Sequence, residues 1–233
     1  MMKNNALNLR GFLIQCVAGI VAGFLNIALS LLAIKLHVPL FMDTLFTVTA
    51  SCFGWTCGIV AAVSLHALSF VVHGFMLQNL TFFFCSLTMV VCVRLMLFRK
   101  NALDTMERGG SKPLRLLILA IVLALVISLE GGLFYYALIS LTKYNIGNQA
   151  VNMLIYTFVT QNVPMLISAT LARFPVNLVD KAAAVFGGYG IFALLQKAAA
   201  RRKNSGGSKN ENSFASDIGM GGGIENAGEY DEI

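Results

Sequence analysis

The chain has 233 residues, of which 57% are hydrophobic and only 12% are charged, and its formal net charge is +6. This balance excludes an ordinary soluble domain and indicates an integral membrane protein. Several apolar runs approach the roughly 20 residues that a helix needs to cross a bilayer, whereas a transmembrane β-barrel would show alternating segments of about ten. The expected fold class is therefore an all-α membrane protein.

Seven apolar runs are candidate membrane segments. The first, residues 12–34, is longer than the apolar core of a signal peptide and is expected to be the first span. The others cover residues 40–53, 55–73, 79–98, 114–142, 147–172 and 176–196. Residues 1–11 are expected to form a cytoplasmic N-terminus. Residues 198–233, rich in Gly, Ser and Asn, are expected to form a disordered cytoplasmic tail.

The positive charges predict the topology. The loop RKNALDTMERGGSK after residue 98 and the segment KAAARRK near residue 200 are basic, which indicates that both are cytoplasmic. Cytoplasmic segments must be separated by an even number of crossings, so one of the three runs between them does not cross. The run 147–172 fits best, because lipid would not tolerate its many amides. We expect six transmembrane helices, with a re-entrant or irregular segment between the last two and both termini cytoplasmic.

The same parity requires residues 38–73 to cross the membrane twice. Gly54 and Gly58 mark the predicted turn, and the run 40–53 becomes a short second helix entered from outside. Asp43 would then lie about 6 Å below the outer face of the membrane, at roughly 1.5 Å of rise per residue.

Other ionisable residues are predicted at a similar depth. Glu130 is about sixteen residues into the helix that starts at residue 114, and Asp180 and Lys181 follow Pro175 on a helix that descends from outside. Charges inside a membrane are costly and therefore indicate function. A structural Glu130–Lys181 pair, or snorkelling side chains, would explain the same residues without a ligand. The candidate substrate-binding residues are Asp43, Asn79, Glu130, Tyr135, Asn152, Gln161, Asn162, Asp180 and Lys181.

The first predicted helix carries small residues at a spacing of four. In CVAGIVAGFLNIA, Ala18 and Ala22 are four apart, and Gly19 and Gly23 repeat the pattern one position on. Such a face lets another helix approach closely, either within the bundle or from a partner subunit.

Three features together resemble the substrate-binding S component of energy-coupling factor (ECF) transporters, over residues 12–197. They are the short second helix in VPLFMDTLFTVTASCFGWTCGIVAAV, the Ala18–Ala22 pair and the closing RFPVNLVDKAAAVFGGYGIFALLQK. The resemblance implies a six-helix subunit of a prokaryotic cell membrane that captures a vitamin or similar micronutrient from outside. It implies as partners a transmembrane coupling subunit, met by Ala18 and Ala22, and two ATPase subunits. Residues 37–43 would form part of the lid and pocket.

Enzyme motifs are not found. The sequence has no Walker A loop, H-E-x-x-H motif or nucleophile elbow, so we expect no enzymatic activity, no cofactor and a separate ATPase chain. A hydrogen-bonded His66 is favoured over a metal site shared with His73. The positive charge is attributed to topology and lipid contact rather than to nucleic-acid binding. A ligand-sensing transmembrane module and a free-standing small-molecule transporter stay open as alternatives.

Overall fold

The computed structural model describes residues 2–36, 38, 42–74, 77–98, 112–142 and 149–205. All regular secondary structure in this part of the chain is helical. The helices are α1 (Met2–Lys35), α2 (Leu45–Phe53), α3 (Trp55–His73), α4 (Leu77–Phe98), α5 (Lys112–Thr142), α6 (Gln149–Thr160) and α7 (Met165–Ser205). Five of them, α1, α3, α4, α5 and α7, are long and apolar enough to cross a membrane. The all-helical class is thus confirmed, and the long apolar helices indicate a multi-pass membrane protein.

Helices α1 and α3 run in the same direction. A Cβ atom at Gly19 would lie 2.7 Å from the Cys57 carbonyl oxygen, and one at Gly23 would collide with Ser64, so residue numbers rise together along the two helices. Two parallel neighbours need a return path between them. The described part of this path includes α2, which packs on both α1 and α3.

Helix α2 is shorter than the run 40–53 suggested, because it begins at Leu45. Its first turn is anchored by Asn26 of α1, whose Oδ1 accepts a hydrogen bond from the Phe46 N–H and whose Nδ2 donates to Thr47, each at 2.8 Å. The first N–H groups of a helix have no partner within it, so a side chain from α1 satisfies one of them. Gly54 separates α2 from α3 as expected.

The expectation that Gly58 marks the same turn is wrong. Gly58 lies inside α3, where an added Cβ would come within 2.7 Å of Ser51 Oγ and 2.9 Å of the Val90 side chain. Its small size serves close packing of α3 against α2 and α4. The C-terminal end of α2 is instead stabilised by Arg94 of α4, whose Nη1 donates to the carbonyl oxygens of Ser51 and Cys52 at 3.2 and 3.3 Å. A cation at a helix C-terminus is favourable.

The last helix is longer than the sequence suggested. It begins at Met165 rather than residue 176 and passes through Pro175. Proline removes one helical hydrogen bond, but here both flanks of the proline are held against α5. Thr170 lies against Gly132, and Asn177 donates a hydrogen bond to Ser128 at 2.9 Å. These contacts make α5 and α7 antiparallel and keep α7 continuous.

The amide-rich run 147–172 is a helix, a turn and the start of another helix. Helix α6 has 12 residues, about 18 Å of rise, which is too short for a hydrocarbon core of about 30 Å. Its Val151 and Ile155 pack with Ala169 and Ala172 of α7 and with Tyr135 of α5. The run therefore folds back along one end of the α5–α7 pair.

Helical structure continues beyond both ends of the expected membrane domain. Helix α1 begins at Met2, so residues 2–11 are helical, and α7 extends to Ser205, so residues 198–205 are helical as well. Residues 206–233, the rest of the expected disordered tail, lie outside the described part of the chain. The main apolar core forms where α2, α4, α5 and α7 meet, and includes Val48, Met89, Leu119, Leu123 and Val185.

Candidate ligand site between helices α4, α5 and α7

Helix α7 carries a buried polar stripe. Arg173, Asn177, Asp180 and Lys181 are 6%, 4%, 1% and 3% exposed. Their spacing of four, seven and eight residues from Arg173 places them on one face of a continuous helix. Buried charges require partners, and the stripe obtains them from two directions: α5, and the segment that leads into α2.

Asp180 and Lys181 hold the segment before α2. The Lys181 ammonium lies 2.7 Å from Asp180 Oδ2 and donates to Thr44 Oγ1 at 3.1 Å. Asp180 Oδ1 accepts a hydrogen bond from the Met42 N–H at 2.8 Å. Met42 has a φ of 46°, an unfavourable conformation for a residue with a side chain, and this bond helps to hold it. The two α7 side chains therefore fix the entrance to α2.

Asp43 lies beside this pair with one oxygen unsatisfied. Its carboxylate interacts electrostatically with both Lys181 and Asp180. Its Oδ1 is buried and has no hydrogen-bond partner. Asp43 thus shares the Lys181 charge with Asp180 and keeps an acceptor that no described side chain or backbone group uses.

Glu130 of α5 faces α4. Its Oε1 accepts a hydrogen bond from Thr88 Oγ1 at 2.8 Å, and the weakly donating Cys85 thiol also interacts with the carboxylate, whereas Oε2 is buried without a strong donor. The structural Glu130–Lys181 pair, considered as an alternative to a ligand site, does not form: Lys181 binds Asp180 and Thr44 instead. The rotation of α7 about its axis explains this difference, because Asp180 is next to Lys181 on α7 and both side chains face the entrance to α2.

One side chain of α4, the Cys85 thiol, lies within electrostatic range of ionisable residues from three other segments. They are Glu130 of α5, Arg173 and Lys181 of α7, and Asp43 before α2. Cys85 is itself buried in the apolar core. We call the five surrounding residues, Asp43, Glu130, Arg173, Asp180 and Lys181, the buried polar cluster.

Arg173 is the member of the cluster that the sequence reasoning missed. Its Nη1 donates to the Ala169 carbonyl oxygen of its own helix at 3.1 Å, and its guanidinium lies 4.4 Å from the centre of the Tyr135 ring. No described carboxylate forms an ion pair with it. The spacing from Arg173 through Asn177 to Lys181 was a usable signal, but a helix assumed to start at residue 176 concealed it.

The other predicted site residues lie in different parts of the structure. Tyr135 and Asn152 are buried near the α6 end, and the Tyr135 hydroxyl and Asn152 Oδ1 have no hydrogen-bond partner. Gln161 and Asn162 lie exposed in the turn between α6 and α7, and so are not brought to the cluster. The Asn79 side chain lies outside what the structure describes.

The small residues of α1 do not form one free surface. Ala18 is exposed, but Ala22 is buried and packs with Ala50, Cys57 and Ala61 of α2 and α3. The reason is that α2 and α3 both contact α1 at the level of Ala22. Of the predicted coupling pair, only Ala18 is available to a partner.

His66 makes a hydrogen bond within the bundle. Its Nε2 lies 2.9 Å from Ser86 Oγ, so the expected hydrogen-bonded role is confirmed. The His73 side chain falls outside the described residues.

Comparisons of the chain with protein-family models, with curated proteins and with solved structures found no match in any of the three. The buried polar cluster is therefore the basis for assigning a function.

Proposed function

We propose that the protein is the membrane-embedded substrate-capture subunit of an ECF-type ATP-driven importer, and that it binds a vitamin or similar micronutrient. The supporting observation is the incomplete satisfaction of the buried polar cluster. Asp43 and Glu130 each keep a buried carboxylate oxygen without a donor, and Arg173 has no described acidic partner. Unsatisfied polar groups are costly away from water, so a polar ligand that supplies the missing partners would bind favourably there.

The proposed topology has six passages through the membrane. They are α1, the path of residues 36–53, α3, α4, α5 and α7, with α6 folded back at the outer end. The basic loop after α4 and the basic residues of α7 near residue 200 lie on the inner side under this arrangement. Both termini are then cytoplasmic, and the entrance to α2 opens the cluster toward the outside of a prokaryotic cell.

The proposed partners are a transmembrane coupling subunit and two ATPase subunits. Ala18 offers a short side chain on the exposed face of α1, where another membrane helix can approach closely. No ATP-binding loop is present in the sequence, so the energy for import comes from other chains.

Purification of the full chain from the membranes of its own host tests this proposal. A mild detergent extract is expected to contain the coupling and ATPase subunits, and mass spectrometry of the purified subunit is expected to detect a retained micronutrient. A retained ligand without any ATPase would contradict the importer and favour a sensing module or a free-standing transporter. An empty, partnerless protein would contradict ligand capture altogether.

Cysteine labelling tests the topology. In a background without the five native cysteines, Gln161→Cys in the exposed turn is expected to react with an impermeant thiol reagent in intact cells. The matched control is Arg201→Cys at the opposite end of α7, which is expected to react only after permeabilisation. Labelling of both positions from the same side would contradict the six-passage arrangement.

A further inference from the structure

We infer that Arg173 and Tyr135 form a subsite for an anionic group of the ligand, a carboxylate or a phosphate. This inference rests on the proposed role in ligand capture, and it adds the chemical class of the ligand. It is independent of the predicted acids, because it rests on two hydrogen-bond donors: the Tyr135 hydroxyl, which has no partner, and the Arg173 guanidinium, which has one backbone acceptor.

The Arg173 guanidinium is buried with most of its hydrogen-bonding capacity unused. A guanidinium has five N–H groups, and the structure shows one protein acceptor, the Ala169 carbonyl oxygen at 3.1 Å. The side chain is only 6% exposed. A buried cation without a counter-ion is strongly unfavourable, whereas bidentate binding of a carboxylate or phosphate is the geometry that guanidinium groups favour.

Tyr135 lies directly against Arg173, and its hydroxyl also needs a hydrogen-bond acceptor. Its ring centre is 4.4 Å from the guanidinium carbon, which fixes the orientation of the charged plane through a cation–π contact. Its hydroxyl is buried and unpaired. The unpaired hydroxyl and the remaining guanidinium N–H groups call for an acceptor, which an oxyanion supplies.

The neighbouring acid, Glu130, does not supply this acceptor. Gly131 of α5 faces Arg173, because a Cβ there would lie 3.4 Å from Arg173 Cδ and 3.6 Å from its Nε. Glu130 is one residue earlier and is therefore rotated by about 100° around the helix. Its carboxylate turns toward Thr88 on α4. The structure shows no ion pair between this acid and the guanidinium.

The other end of the cluster has the opposite polarity. Asp43 Oδ1 and Glu130 Oε2 are acceptors that lack donors. A ligand with an oxyanion at one end and N–H groups at the other would satisfy both ends at once. This combination describes an amino acid or a nitrogen heterocycle that carries a carboxylate or phosphate.

Thermal unfolding of the full chain in detergent tests the subsite with simple probes: formate, acetate and inorganic phosphate, each compared with chloride at equal ionic strength. At about ten times its dissociation constant, a bound oxyanion is expected to raise the melting temperature by about 3–6 °C. Stabilisation by formate and acetate alone indicates a carboxylate subsite, and stabilisation by phosphate indicates a phosphate subsite. No stabilisation beyond chloride by any of the three overturns the inference.

Arg173→Gln is expected to abolish the oxyanion effect. The matched control is Arg94→Gln, which removes a second partly buried arginine whose Nη1 already binds two carbonyl oxygens and which should leave the effect intact. Tyr135→Phe removes a single hydroxyl and keeps the measurement possible if Arg173→Gln does not fold. The dissociation constant of the Tyr135→Phe protein for the oxyanion is expected to rise at least about threefold. An unchanged oxyanion effect in Arg173→Gln, or in Tyr135→Phe, contradicts the subsite.

The identity of any retained ligand separates this inference from the importer. A retained micronutrient without an acidic group would overturn the anion subsite and leave substrate capture standing. An Arg173-dependent oxyanion effect in a protein that never joins a coupling subunit would support the subsite and contradict the importer.

Discussion

The α1–α3 and α5–α7 interfaces both bring helices close together through glycine, yet they differ in what they bury. At α1–α3, Gly19 and Gly23 lie directly against α3, and the surrounding contacts are apolar, backbone or the uncharged Ser64 hydroxyl. At α5–α7, Gly132 has a similar role, but the buried stripe of α7 continues beside it with three charges and an amide. The α1–α3 interface is explained by packing alone. The α5–α7 interface buries charged and amide side chains, which are costly to bury.

This difference separates structural from functional candidates. Small residues bring helix backbones together at little cost in a membrane, so the α1–α3 contact is explained by stability alone. Buried charges are not explained that way, because apolar residues of similar volume often stabilise as well as an ion pair does. The predictions below test whether the two interfaces respond to substitution as this distinction requires.

Lys181→Met is expected to have the largest effect. It removes the cation that neutralises Asp180 and Asp43 and leaves two buried acids side by side. Loss of one partner of a buried pair costs about 3–5 kcal/mol. The free energy of unfolding in detergent measures it, and Lys197→Met, an exposed position on the same helix, is the control.

The double variant Asp180→Asn with Lys181→Met sharpens this result. Removing both charges is expected to restore much of the stability, since Asp43 then no longer faces a second carboxylate. If the double variant loses as much free energy of unfolding as the two single variants together, Asp180 and Lys181 contribute independently rather than as a pair.

Gly23→Leu is expected to have the next largest effect, by disrupting the α1–α3 contact. Even the first carbon of the new side chain would lie 2.9 Å from the Leu65 backbone nitrogen and collide with Ser64. Overpacking of this kind costs about 1–3 kcal/mol. Thermal unfolding measures it against Ala28→Leu, at an exposed position of α1. A stable Gly23→Leu protein would mean that the two helices separate readily.

Glu130→Gln is expected to change binding more than stability. The amide retains an acceptor for Thr88 and removes the charge. If Glu130 binds ligand, the dissociation constant rises at least about tenfold, or about 1.4 kcal/mol, in a folded and monodisperse protein. The ligand-induced shift in melting temperature measures this, with Tyr136→Phe at an exposed α5 position as control. A full wild-type shift would refute the binding role.

Ala18→Leu is expected to change stability least, within about 0.5 kcal/mol, because the side chain is exposed. Its effect should fall on assembly: ligand binding is retained while copurification of the coupling subunit is reduced. Ala22→Leu is the internal comparison, since Ala22 is buried against α2 and α3 and its enlargement should destabilise the isolated subunit. Normal assembly of Ala18→Leu would exclude this part of α1 from the partner surface.

The all-helical class, the long apolar helices and the unusual residues inside them can all be predicted from the amino-acid sequence. These properties follow from local hydropathy, because a run of about 20 apolar residues must pair its backbone groups internally wherever it lies in lipid. The importance of Asp43, Glu130, Asp180 and Lys181 was predicted in the same way, since charges in apolar runs are conspicuous without any structure.

The tertiary structure decided which of these residues meet. Whether Lys181 pairs with Glu130 or Asp180 depends on how α7 is rotated against α5 and α2, and rotation is set by packing contacts distant in sequence, such as Thr170 against Gly132. The same contacts keep α7 helical through Pro175, against the local preference of proline to end a helix. Arg173 joined the site only through that continuity, because its place on the stripe exists when residues 165–181 form one helix.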